Sequence, residues 1–157
     1  MPIINSISNI KKEMQEWRRY LHENPELGFE EYNTSKFIVK KLNEFGIKAF
    51  QNIGKTGVVG VLKGSKKGDG SIGLRADMDA LPVEEKTGLD YSSTTKTLNE
   101  DNTEVSVMHA CGHDMHMAVA VGTAKELIKR KSEWSGTLMI IFQPAEEVGQ
   151  GSAKMLK

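Results

Sequence analysis

Ile10, Met14, Trp17 and Leu21 recur at the three- and four-residue spacing of one helical face. The pattern predicts a first helix that starts near Ser6 or Ser8. Pro25 ends it, because proline disfavours helical geometry in the residue before it. A second stripe of Tyr32, Phe37, Ile38, Leu42 and Phe45 predicts a helix over residues 30–44, stopped by Gly46. Short apolar runs then replace the helical period. Residues 47–53, 57–63 (GVVGVLK) and 71–76 (SIGLRA) read as strands. The Gly-, Ser-, Lys- and Asp-containing residues 64–70 read as a hairpin link between the last two. Residues 84–106 are polar and read as a long loop, of a length that in compact domains is often functional.

Val119, Ala120, Thr123, Ala124, Leu127 and Ile128 give a third helix, over residues 113–131, a small-residue and aliphatic face. Residues 136–142 (GTLMIIF) are almost all apolar, as expected of a strand buried on both faces at the centre of an α/β sheet. Pro144 breaks that run, and residues 152–157 look like the first turns of another helix. The order of elements predicts an α/β sandwich with a mixed sheet.

Composition narrows the function classes. The 157 residues, 38% hydrophobic and 27% charged, suit one soluble globular domain with a core of its own. Lys plus Arg and Asp plus Glu number 21 each, so net charge gives no reason to expect nucleic acid or an anionic membrane as partner. The single cysteine excludes an internal disulfide and fits a reducing compartment. The first residues lack the pattern of a secretory signal, and no segment approaches the roughly 20 apolar residues of a membrane span. The expected location is cytoplasmic.

Three segments carry candidate chemistry. His109-Ala110-Cys111-Gly112-His113-Asp114-Met115-His116 holds three of the four histidines and the only cysteine within eight residues. Thiolate and neutral imidazole are preferred ligands of zinc and its neighbours. Gly112 lets the chain turn so that Cys111 and His113 aim at one point, and a helix starting near His113 would favour thiolate at Cys111. The bland alternative is a structural cysteine beside unrelated histidines.

Glu146 and Glu147 follow the apolar run directly, where α/β folds gather active-site groups. One could bind metal while the other moves a proton, but adjacent side chains diverge in an extended chain. Both serve one site only if the backbone turns after Pro144; otherwise they are a solvent-facing acidic pair. Arg75-Ala76-Asp77-Met78-Asp79 ends another strand. An aspartate there could orient a ligand, bind metal itself, or belong to an ordinary acidic turn. A cysteine nucleophile finds no local protease signature, and a structural zinc finger lacks its Cys-x-x-Cys pair.

RADMDALPV (residues 75–83), MHACGHDMHMA (108–118), FQPAEEVGQGSAKML (142–156) and RRYLHENPELGFEE (18–31), taken together, resemble the amidohydrolase branch of the dinuclear metallopeptidases. That branch includes hippurate hydrolase, N-acyl-amino-acid amidohydrolases, N-acetyldiaminopimelate deacetylase and the auxin-conjugate hydrolases. The resemblance runs along the whole chain. It implies Cys111, His113 and Glu147 as metal ligands, Glu146 as general base and Asp77 as a supporting residue. Related metallopeptidases have a histidine where Arg75 stands here, an exchange that fits a branch using cysteine in its metal set. The implied reaction is hydrolysis of N-acyl amino acids or similar small amides with two divalent ions, zinc first, with manganese, cobalt or nickel also open.

The resemblance also implies a zinc-aminopeptidase type of sandwich, of which residues 1–157 are the N-terminal portion of the catalytic domain. A dimerisation and lid domain, the C-terminal catalytic portion and two further histidine ligands would lie outside it, and the full-length relatives would be homodimers. The isolated chain is then expected to be weakly active or inactive. The alternative is a non-catalytic metal-binding protein, or one half of a split enzyme that needs a separate C-terminal partner.

Overall fold

Helices α1 (Asn5–Glu23), α2 (Tyr32–Glu44) and α3 (His113–Lys129) pack on one face of a four-stranded sheet in this computed structural model, which describes residues 5–99 and 101–157. The strands are β1 (Lys48–Ile53), β2 (Gly57–Lys63), β3 (Lys66–Asp77) and β6 (Ser135–Gln143). β4 (Lys96–Leu98) and β5 (Glu104–Ser106) form a separate small hairpin, and α4 (Gly151–Met155) closes the chain. The mixed-sheet α/β class is the one the pattern predicts.

The core lies between helices and sheet. Trp17 and Leu21 of α1, Ile38 and Leu42 of α2, and Met117, Val121 and Ala124 of α3 meet Val58 and Leu62 of β2 and Leu138, Ile140 and Phe142 of β6. Each large apolar side chain buried here contributes about 1.5–3 kcal/mol relative to exposure. The predicted face of α1 is the buried one. The helix is already formed at Asn5, the first described residue. Helix α2 starts two residues later than its spacing suggested, and Tyr32 is 44% exposed rather than part of the stripe. Thr34 and Ser35 take the buried positions instead. Glu26 accepts from the Thr34 hydroxyl, and the carbonyl of Thr56 accepts from the Ser35 hydroxyl, so these polar groups are buried with partners.

Two expectations about the sheet are corrected. Residues 64–70 do not close a hairpin, because β6 lies between β2 and β3 in the order β1-β2-β6-β3. The amides of Gly64, Ser65 and Lys66 bond to carbonyls of Gly136, Lys131 and Trp134, so the link runs along the chain entering β6. Helix α3 is the crossover that returns β6 parallel to β3, while β2 pairs with β6 antiparallel. Nor is β6 covered on both faces among the described residues. Leu138, Ile140 and Phe142 are buried, but Met139 is 37% exposed on the other side. The register sets Met139 beside Val61, and Ile141 beside Val59 and then Phe50, as an apolar face that none of the three helices covers.

The polar stretch 84–106 is only partly loop, since it contains β4 and β5. Glu85, from this stretch, reaches His22 Nε2 at 3.1 Å and ties it to α1.

Candidate metal centre

β3 and β6 run parallel and end side by side, with Asp77 paired to Gln143. Chain leaving a parallel pair at this end gathers where ligands bind in α/β sheets. Three pieces converge there: residues 78–80 after β3, the start of α3, and the turn after β6.

Gly112 enters α3 with φ 81°, the left-handed conformation that glycine adopts freely. A Cβ at Gly112 would meet nothing within 4 Å, so the backbone conformation, not space, calls for glycine. The turn delivers His113 as the first residue of the helix, buried at 5% exposure. Its Nδ1 lies 2.8 Å from the Asp79 carbonyl, which accepts the proton and leaves Nε2 facing the acids. Nε2 is 3.9 Å from Glu146 Oε2 and 4.0 Å from Glu147 Oε1. One ligand atom from each of His113, Glu146 and Glu147 fits within 4.8 Å of the others. The backbone turn that this requires occurs at Ala145, with φ 50°.

Asp114, the next residue of α3, is fully buried and anchors the helix start. Its Oδ2 lies 2.7 Å from His22 Nδ1 and 2.8 Å from Arg18 Nε. The RRYLHENPELGFEE segment therefore holds the end of α3 that carries His113.

The electrostatics suit a cation. Burial alone would lower the pKa of His113, but the Asp79 carboxylate and carbonyl, with the charge of Asp77 beyond, outweigh it and raise the value to about 9. Burial alone would raise Asp79, yet interaction with His113 and the amides of Glu147 and Glu146 holds it below the usual carboxylate range. Cys111 is exposed and its thiol is pushed up, first by its hydrogen bond to Glu147, then by desolvation and the charges of Glu147, Glu146 and Asp79. The dipole of α3 was expected to favour thiolate; at this exposed position the neighbouring carboxylates prevail. His113, Glu146 and Glu147 are a donor set that a divalent ion would satisfy, and Cys111, expected to aim at the same point as His113, adjoins it through its hydrogen bond to Glu147 without belonging to the grouping. The residues present thus fit a bound metal.

The remaining candidates divide. Asp77 bonds to Arg75 Nε at 2.8 Å and lies 3.6 Å from His116 Nδ1. With His113, these two form a second grouping whose ligand atoms fall within 4.8 Å. The contacts that hold His113 and the amide of Glu147 come from Asp79, which is 1% exposed and accepts from the Glu147 N–H at 2.9 Å. Asp79 stood in the RADMD motif, but nothing in spacing ranked it above Asp77. His109 turns inward at 4% exposure, and neither ring nitrogen has a hydrogen-bond partner among the described residues. Burial above all pushes its pKa down to about 4, so it is neutral.

A mixed α/β fold with such a donor set at its strand ends defines a candidate metallohydrolase. Residues 73–157 match the family described as peptidase family M20/M25/M40. Hippurate hydrolase of Campylobacter jejuni is 47% identical over 156 residues, covering 99% of this chain and 37% of its own length. Thermostable carboxypeptidase 1 of Saccharolobus solfataricus is 45% identical over 160 residues, with 98% and 38% covered. The crystal structure of the Bacillus subtilis YXEP protein, described as a dinuclear metal binding peptidase from the M20 family, superposes with a TM-score of 0.84 at 41% identity, over 95% of this chain and 39% of that one. The chain belongs to peptidase family M20/M25/M40. It spans 38% of the length of the carboxypeptidase relative.

Proposed function

We propose that this chain supplies Cys111, His113 and Glu147 as ligands, and Glu146 as general base, to a two-metal amidohydrolase acting on N-acyl amino acids or similar small amides. The observation that carries the reading is the convergence of His113, Glu146 and Glu147 within 4.8 Å at the ends of β3 and β6. The names of the relatives favour the substrate class: hippurate and the C-terminal residue of a peptide both present an amide next to an α-carboxylate. Divalent ions held there, zinc foremost and manganese, cobalt or nickel as alternatives, would acidify water and polarise the scissile carbonyl.

The protein's own groups divide the remaining work. Glu147, with a side chain 20% exposed, its amide fixed by Asp79 and a hydrogen bond to Cys111, is the carboxylate ligand in this reading. Glu146 is more open, at 39%, and is free to take a proton from water and pass it to the departing amine. Asp79 orients His113 and keeps Nε2 available. Asp77 sits at the rim with Arg75 and His116 as a supporting charge. Further ligands and the cover for the open sheet face would come from sequence beyond these residues, consistent with the 38% share of the relative's length. A reduced, ligating Cys111 suits a cytoplasmic setting.

The test is hydrolysis of N-acetyl and N-benzoyl amino acids by the enzyme at its relatives' full length, loaded with each metal in turn. Turnover that requires metal supports the reading. Loaded protein that leaves both amide classes intact ends it.

A further inference from the structure

The ELGFEE part of the first motif contacts the site at a place the proposed chemistry leaves unexplained. Glu31 occupies the N-cap of α2, yet its side chain makes no capping bond. Glu26 serves that end instead: its Oε1 accepts from the Asn33 amide at 3.1 Å and its Oε2 from the Thr34 amide at 2.9 Å. With the helix end satisfied, Glu31 is free to point elsewhere. It is fully buried, and its Oε1 accepts from the Ala145 N–H at 2.8 Å while its Oε2 accepts from the Thr56 hydroxyl at 2.5 Å.

Ala145 is the residue that turns the chain toward Glu146 and Glu147, and it does so in a left-handed conformation that costs a non-glycine residue roughly 1 kcal/mol or more. Such a conformation persists only where its surroundings hold it. Two buried carboxylates do so from separate elements. Glu31 takes the amide of Ala145 and Asp79 takes that of Glu147, so one residue on each side of Glu146 is fixed. Gly28 permits the approach: a Cβ there would come within 3.2 Å of Ala145 Cα and 3.3 Å of its Cβ. The segment is itself tied to the site, since the Glu26 carbonyl accepts from the Ala80 N–H at 2.9 Å.

We propose that Glu31 is a positioning residue for the site, bracing the strained turn at Ala145 so that Glu146 and Glu147 face His113. This rests on the roles assigned above to the two glutamates. Burial, the foremost influence on Glu31, raises its pKa, while the hydrogen bonds from Thr56 and Ala145 act to lower it.

The experiment compares Glu31→Leu, which removes the acceptor while filling the space, with Glu31→Gln, which keeps it. Hydrogen exchange at the Ala145 amide is read first, in metal-free protein. Leucine should speed exchange there roughly tenfold, the scale of a lost charge-assisted hydrogen bond, and glutamine much less. Zinc affinity should fall with Glu31→Leu, and adding Ala145→Gly should restore most of it, because glycine holds the turn without a brace. A role in stability alone would give no such rescue. If Glu31→Leu does not fold, Thr56→Val is the milder probe, expected to lose protection at Ala145 in the same direction. Unchanged exchange at Ala145, or no rescue by Ala145→Gly, overturns the proposal. A Glu147→Gln chain that binds zinc as the wild type does overturns the ligand assignment instead, and exchange at Ala145 still decides the bracing role.

Discussion

His113 donates its Nδ1 proton to the backbone carbonyl of Asp79 at 2.8 Å, and the Asp79 carboxylate lies 3.5 Å from the same nitrogen. The same carboxylate accepts from the amide of Glu147. One aspartate therefore fixes both a proposed ligand and the backbone of another. Asp79→Asn keeps the shape and removes the charge. Zinc affinity should fall about 10- to 100-fold, as for other groups that orient ligands. The pKa of His113 in metal-free protein, followed by NMR, should fall from about 9 toward the ordinary value of 6.5. A variant in which His113 titrates as before would refute the role given to Asp79.

Metal uptake should release protons. At neutral pH His113 is protonated, with its pKa near 9, and Cys111 keeps its thiol proton because Glu147 and its neighbours push it up. Ligation needs neutral imidazole and thiolate. Affinity should therefore climb with pH and flatten for His113 once about 9 is passed. Calorimetry in buffers of different ionisation heat counts the protons. Zinc binding at pH 7 with no proton release would be incompatible with these two ligands.

Two of the three buried histidines, His109 and His113, set opposite limbs of the stability profile of metal-free protein. His109 is depressed to about 4 from 6.5, so the unfolded chain takes up its proton first, and stability falls as pH drops from 6.5 through 4. His113 is raised to about 9, so its contribution is complete below 6.5 and is lost as pH rises through 9. His109→Gln should flatten the acid limb and leave the alkaline one. Thermal melts across this range measure both, and an acid limb as steep as before would show that His109 does not set it.

Gly112→Ala tests the turn into α3. No atom lies within 4 Å of the added methyl, so the cost is the left-handed backbone alone, about 1 kcal/mol. A modest drop in melting temperature with weaker zinc binding is expected. A variant that melts and binds like the parent would mean that φ 81° is not required.

Much of the fold was legible because it is local. Ile10, Trp17 and Leu21 sit on the face their spacing predicts, and α3 begins at His113, where Gly112 ends the preceding chain. What was not legible depends on distant partners. Residues 64–70 have hairpin composition, and only the insertion of β6 decides that they link two strands that do not pair. Thr34 and Ser35 fall outside the predicted apolar stripe, and what buries them is hydrogen-bond partners, Glu26 and Thr56, that lie elsewhere in the chain. The cluster of His113, Glu146 and Glu147 follows the motifs, but of the other two histidines in the same motif His109 is buried and turned inward, while exposed His116 joins His113 and Asp77 in the second grouping. Glu31 sat in a quoted motif with no role attached, since the amide it holds is 114 residues away.

The central claim is the division of labour between Glu146 and the ligands, and zinc affinity tests it most directly. Zinc titration of Glu146→Gln, Glu147→Gln and Cys111→Ala, beside the wild type, should leave Glu146→Gln near the parent value and weaken the other two by roughly tenfold or more. Equal weakening in all three, or a loss confined to Glu146→Gln, would contradict it.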